Sequence, residues 1–164
     1  MPFMNELPSG LDRELHEILS RQTVAALGSL QADGYPHVSM VNFAVEPRTG
    51  LIVLCCSSMA PQAAHLRADA RASLLVLAPG HTEGEGAVAR LTLQGTARFP
   101  EPGSNAWNEA HEAWLARFPA SHDGLDTMLD RALVTLSVVR ARQVSSFGGA
   151  RDVTESHLMP LLLN

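Results

Sequence analysis

The sequence predicts a mainly β, α+β domain: six antiparallel strands closed into one small barrel, with helices packed outside it. Three observations carry this prediction. Several segments alternate apolar and polar residues with period two, the pattern of a half-buried strand. The links between most strands are two to five residues long, which favours antiparallel pairing over parallel crossovers. Six such strands fall within about 125 residues, which suits a small closed barrel. The whole chain of 164 residues reads as one domain. Residues 1–22 hold an N-terminal helix, 23–150 the barrel and 151–164 a tail.

The elements follow in order. In LDRELHEILSR, residues 11–21, Leu11, Leu15, Ile18 and Leu19 share one helical face, and Ser9 or Asp12 is placed to cap it. TVAALGSL, residues 23–30, is a strand. Ala32-Asp33-Gly34 closes it, because Gly tolerates the positive φ that tight hairpins need. Residues 35–46 alternate. Val38, Met40, Asn42 and Ala44 fall on one side, and His37, Ser39, Val41, Phe43 and Val45 on the other. After the turn Pro47-Arg48-Thr49-Gly50, Leu51 to Ser57 is a continuous apolar strand. Ala60 to Ala68 reads as a short helix with Pro61 in its first turn, where a missing N–H costs nothing. Arg71 to Leu77 is a central strand, residues 79–86 a glycine-rich loop, and Val88 to Phe99 another strand ended by Pro100 and Pro102. Residues 104–118 form a helix, Gly124 to Asp130 a third short one, and Ala132 to Val144 a last long strand before the SSFGG turn.

Composition narrows the function. The chain is 46% hydrophobic and 18% charged, enough to bury a core. Net charge is −5, so a large nucleic-acid footprint is not expected. All 12 bases are Arg. Without Lys there is no internal Schiff base with pyridoxal phosphate and no P-loop lysine. Cys55 and Cys56 are adjacent, too close for an unstrained bridge, and on a strand they point to opposite faces. They read as two small buried residues in a reducing compartment. With no signal-peptide pattern and no apolar run of 18 residues, the expectation is a cytoplasmic protein that does not span a membrane.

Most chemical motifs fail on context. GEGAVA (Gly84, Gly86, Ala89) has the spacing of a dinucleotide loop but precedes a strand instead of opening a helix. The seven histidines, at 16, 37, 65, 81, 111, 122 and 157, form no H-E-x-x-H pattern, and no metal site is expected. Ser57-Ser58 lacks the G-x-S-x-G setting of a nucleophile. Trp107 and Trp114, seven apart, lie on one helical face and read as packing residues.

Four segments in series say more: YPHVSMVNFAV, LCCSSMAPQAAHLRADARASLLV, ARLTLQGTARF and RARQVSSFGGA. Together, over about Thr23 to Ala150, they resemble the pyridoxamine-phosphate-oxidase-like FMN-binding split β-barrels, most of all the haem-utilisation branch of HugZ/HutZ type. The resemblance implies a six-stranded antiparallel split barrel, a homodimer, and flavin or haem at the subunit interface. It implies an FMN-dependent oxidoreductase acting on an unidentified small molecule. The alternatives are a haem or tetrapyrrole carrier or degradation protein, and a cofactor-free dimeric binding module. Pyridoxamine phosphate oxidation itself is not expected, because the family's C-terminal substrate motif has no match.

By the same resemblance the FMN phosphate falls at the corner leading into the helix near Ala60. Ser57 and Ser58 offer hydroxyls there, and Ala60, Pro61 and Gln62 the first helical turn. Arg90 and Gln94 are placed for phosphate or ring, and Ser39 and His37 near the ring. Flavin-binding relatives carry basic or hydroxyl residues just inside that helix; here Ala60, Pro61, Gln62 and Ala63 stand instead, which weakens the expected clamp. For haem, the ligand candidate is His157 in the tail. The tail's apolar end, Leu158 to Leu163, is expected to dock across a dimer.

Overall fold

The computed structural model describes residues 9–80, 88–121 and 130–163. The elements are α1 (Gly10–Arg21), β1 (Val24–Leu30), β2 (Pro36–Val45), β3 (Ile52–Ser57), α2 (Pro61–Ala68), β4 (Arg71–Leu77), β5 (Arg90–Arg98), α3 (Asn105–Arg117), β6 (Arg131–Val144), β7 (Ala150–Val153) and α4 (Glu155–Leu162). A single 3-10 turn, Pro119–Ser121, follows α3. The expected short helix at Gly124 to Asp130, all but Asp130 itself, and most of the loop at 79–86 lie outside the described residues.

The strands pair antiparallel in the order β3-β2-β1-β4-β5-β6-β7, and β3 also pairs with β6. That last pairing closes a six-stranded barrel and leaves β7 as an added strand on the far half of β6. One long strand serves both purposes: Arg131 to Leu136 pairs with β3, and Ala141 to Val144 with β7. The inward residues Ala25, Leu27, Phe43, Ile52, Leu54, Leu74, Leu91, Leu93, Val134 and Leu136 are almost wholly buried in one core. The alternation read from the sequence is therefore the barrel's inside and outside.

The helices divide the outside. α1 starts with a capping box, in which the Ser9 hydroxyl accepts from Asp12 N and the Asp12 carboxylate accepts from Ser9 N. Its Leu15, Ile18 and Leu19 enter the core. α2 adds Ala63 and Leu66. α3 covers the outer side of β2, β3 and β6: Ala110, Ala113 and Trp114 pack on Ala44, Val53 and Leu133, with Trp107 and Phe118 at the edge. Cys56 faces the core and Cys55 the α3 side; burial pushes both thiols above their ordinary value.

The tail folds further than its composition announced. β7 extends the sheet and α4 returns to the body, with Leu158 3% and Leu162 2% exposed in the core of their own chain. The expectation that this apolar end docks across a dimer is corrected for those two residues: their own barrel already takes them. Pro160 inside α4 carries no N–H, so burial rather than a full ladder holds the helix. No helix among the described residues is long and apolar enough to cross a membrane.

Candidate functional site: the open outer face of the barrel

Among the described residues, one outer face carries no helix. It is built by β2, β1, β4, β5 and the far half of β6, and strand register sets its rows. Met40, Ala26, Leu75, Thr92 and Arg142 form one row; Val38, Gly28, Ser73, Gln94 and Arg140 form the next. Val38 (68%), Met40 (67%) and Val139 (66%) are exposed to a degree unusual for apolar residues grouped on one sheet.

A groove of about 510 Å³ crosses this face. Gly28 leaves its floor low, His37 and Val38 form one wall, and Arg71, Ser73, Gln94, Thr96, Val139 and Arg140 the other side. A second groove, of about 470 Å³, shares Gln94, Val139 and Arg140 with it and runs on to Asp152, Val153 and Thr154.

A β-bulge makes the meeting point. Gln94 pairs with Arg140 but Gly95 pairs with Val138, so Val139 is an extra residue. Such a bulge bends a strand and re-aims its side chains. Here it turns both Val139 and Arg140 outward. Gly95 permits it: a Cβ there would collide with the Ser137 carbonyl oxygen.

The charges of the face differ in their freedom. Arg71 donates to both oxygens of Asp69, with its Nε 2.9 Å from Oδ1, and this holds the Asp69 carboxyl down at about 2. Arg142 donates to Asp152 at 2.8 Å. Arg90 donates to the Val88 carbonyl. Arg140 has no protein partner among the described residues, so it stands exposed at the junction of the two grooves as a cation ready for an anionic group.

Of the residues expected from sequence, His37 and Gln94 line the same groove. Arg90 lies on the same face of β5 as Gln94 but outside that groove. Ser39 points inward, its hydroxyl buried with no hydrogen-bond partner among the described residues. Behind His37, the His65 ring meets it edge to face at 4.9 Å, and His65 Nδ1 shares a hydrogen bond of 3.1 Å with Ser29 Oγ.

The β3–α2 corner is a separate place. Ser57, Ser58, Ala60, Pro61 and Gln62 line neither groove. Ser57 Oγ donates to the Asp130 carboxylate at 3.3 Å and accepts from Met59 N. The Ala60 N–H donates to Ser57 O, and Pro61 has none to give. A carboxylate therefore sits where an anion was expected, and among the described residues only the Gln62 N–H of that first turn remains.

Sequence reading missed Arg140, Val139, Ser73 and Thr96. The signal available was the alternation of Arg140 and Arg142 on one face of the last strand. The bulge that brings Arg140 beside Gln94 has no signal of its own beyond Gly95.

A closed six-stranded antiparallel barrel, helix-covered on one side and open on the other, defines a split β-barrel domain. The chain belongs to the pyridoxamine 5'-phosphate oxidase family, whose profile matches residues 11–145. Its structure is similar to that of a heme binding protein from Mycobacterium smegmatis, with 29% identity and a TM-score of 0.80 over 94% of this chain and 62% of that one. The chain thus spans about three-fifths of that relative. It also resembles HutZ, the heme storage protein from Vibrio cholerae, with 25% identity and a TM-score of 0.68 over 78% of this chain and 89% of that one. Campylobacter jejuni ChuZ shares the fold at 22% identity and a TM-score of 0.74, over 91% of this chain and 61% of that one.

Proposed function

We propose that the chain is a haem-type tetrapyrrole-binding protein that works in the cytoplasm as a homodimer, two copies enclosing the ligand between their open faces. The observation that carries this reading is the unpaired Arg140 set among the apolar residues Val38, Val139, Met40 and Leu75. A flat macrocycle with carboxylate edges matches apolar wall and cation together. The β3–α2 corner, where a flavin phosphate was expected, offers the Asp130 carboxylate instead. The heme-binding relatives support the same direction.

Haem, when bound, would supply an iron centre, and an imidazole of this chain would help hold it. His157 is the residue for that role. Its Nδ1 shares a 2.7 Å hydrogen bond with Thr154 Oγ1, and Thr154 lines the second groove. A ligating His is usually held in this way through its other nitrogen. Arg140 would hold a propionate, and the apolar row would exclude water from the ring.

FMN-dependent oxidoreduction is the second reading. Gln94, Ser73 and Thr96 beside Arg140 form a polar strip suited to the amide edge of a flavin ring.

One experiment separates the two. The protein is incubated with haem or with FMN, desalted and scanned. A retained Soret band with loss of flavin absorption is expected. Arg140→Glu should weaken haem roughly ten- to a hundredfold, since a charged hydrogen bond contributes about 1.5–3 kcal/mol. His157→Ala should shift the Soret band. Retained flavin bands without a Soret band would replace haem by FMN, and loss of both would remove both cofactors.

A further inference from the structure

We propose that a cleft on the helical side of the barrel, between α1, the β2–β3 turn and α3, is a second ligand site, and that it takes a small apolar monocarboxylate. The cleft measures about 510 Å³, within the range of small-molecule sites, and shares no lining residue with the grooves of the open face. Leu19, Val45, Ala113 and Ala116 give it apolar walls, and the alanines keep the α3 side low.

Its charged lining residues are Glu46, Arg48, Glu112 and Arg117. Glu46 is buried and fully engaged. It accepts from Arg48 N and Nε at 3.2 and 3.0 Å, and from Thr49 N and Oγ1 at 2.7 and 2.5 Å. Arg48 is held by Glu46 and by Glu112 at 3.1 Å. Arg117 differs. It is half-buried, its Nη2 donates to the Gln22 carbonyl at 2.8 Å, and among the described residues no carboxylate faces it.

A half-buried guanidinium has five N–H donors, and one neutral carbonyl satisfies one of them. A carboxylate is the partner its fork fits best. The two glutamates in the same wall disfavour a dianion, so a phosphate is the poorer ligand and a monoanion the better one. The apolar walls then ask for an aliphatic or aromatic body behind the carboxylate.

The test is calorimetric titration of the full chain with decanoate, with decanol as its neutral counterpart. One saturable site per chain is expected, with decanol at least about tenfold weaker. Arg117→Gln should weaken decanoate by about tenfold. Ala116→Trp fills the cleft from an exposed position and should abolish binding without disturbing the fold, as circular dichroism checks. Arg140→Glu, on the opposite face, should leave decanoate binding unchanged. The proposal is overturned by absence of saturable binding, by equal affinity for decanol, by wild-type affinity in both cleft variants, or by loss of binding in Arg140→Glu.

Discussion

Gly95 and Glu46 show how much single residues decide here. At Gly95 any side chain meets the Ser137 carbonyl, so Gly95→Ala must push β5 and β6 apart at the bulge. Overpacking of this kind costs about 1–3 kcal/mol, and in a chain of this size that is roughly 2–4 °C of Tm per kcal/mol. Thermal unfolding would reveal it, and an unchanged Tm would mean the strands part freely. Glu46 poses the opposite case. Burial raises its carboxyl, but the donors from Thr49 and Arg48 outweigh burial and hold it below the ordinary value. A depressed folded pKa contributes stability that is present above about pH 4.5 and lost as pH falls through the folded value. Asp12 behaves alike, held down first by Arg151. Glu46→Gln should therefore be less stable than wild type at neutral pH, by about 1–3 kcal/mol. The gap should narrow in acid, and denaturant melts at two pH values would measure it. A gap that stayed constant with pH would show that charge is irrelevant at this turn. Both residues were visible in the sequence, but neither role was. Gly95 is one glycine in a good strand pattern, and Glu46 reads as the polar end of one.

Elements were more legible. The six barrel strands, α1, α2 and α3 follow directly from period and capping, because each buries its own apolar face. β7 and α4 were not legible. Four residues of ARDV show little alternation, and Pro160 argues against a helix. Tertiary contact holds them instead. Arg151 on β7 donates to Gln143 Oε1 at 2.9 Å and to Asp12 Oδ1 at 2.6 Å, while Gln143 Nε2 donates to the Leu11 carbonyl. Gln143 is wholly buried, so this network ties β6, β7 and α1 together. If α4 belongs to the core, Leu158→Ala should cost about 2–5 kcal/mol. A loss below 0.5 kcal/mol in a denaturant melt, roughly what a surface substitution gives, would place α4 outside the folding unit.

For the whole molecule the open face is the decisive feature. A sheet face carrying Val38, Met40, Leu75 and Leu77 exposed together is an interaction surface or an aggregation liability. The proposed homodimer covers it. Sedimentation should then give about twice 17.6 kDa for the wild-type chain, and Met40→Asp should return the mass to 17.6 kDa. A wild-type monomer at micromolar concentration would leave the ligand face half-built and would sink the interfacial reading. The elements of this face were in the sequence alternation, since Val38 and Met40 were already on the side opposite the core residues. That no helix among the described residues covers them was not.

The sequence by itself determined the succession of strands along the chain, the two faces of the strands that alternate, the main helices and the absence of lysine chemistry. All of these are local or compositional, set by periodicity, turn residues and residue type. Only the tertiary structure decided which charges are free. Asp130 meets Ser57 from 73 positions away, Arg140 is turned outward by a one-residue bulge, and Arg117 lines a cleft in which, among the described residues, both glutamates are turned to Arg48 or its own turn and neither pairs with it. Each depends on which distant backbone segments come within about 3 Å of one another. Spacing along the chain carries no record of that, and it is where the candidate sites are made.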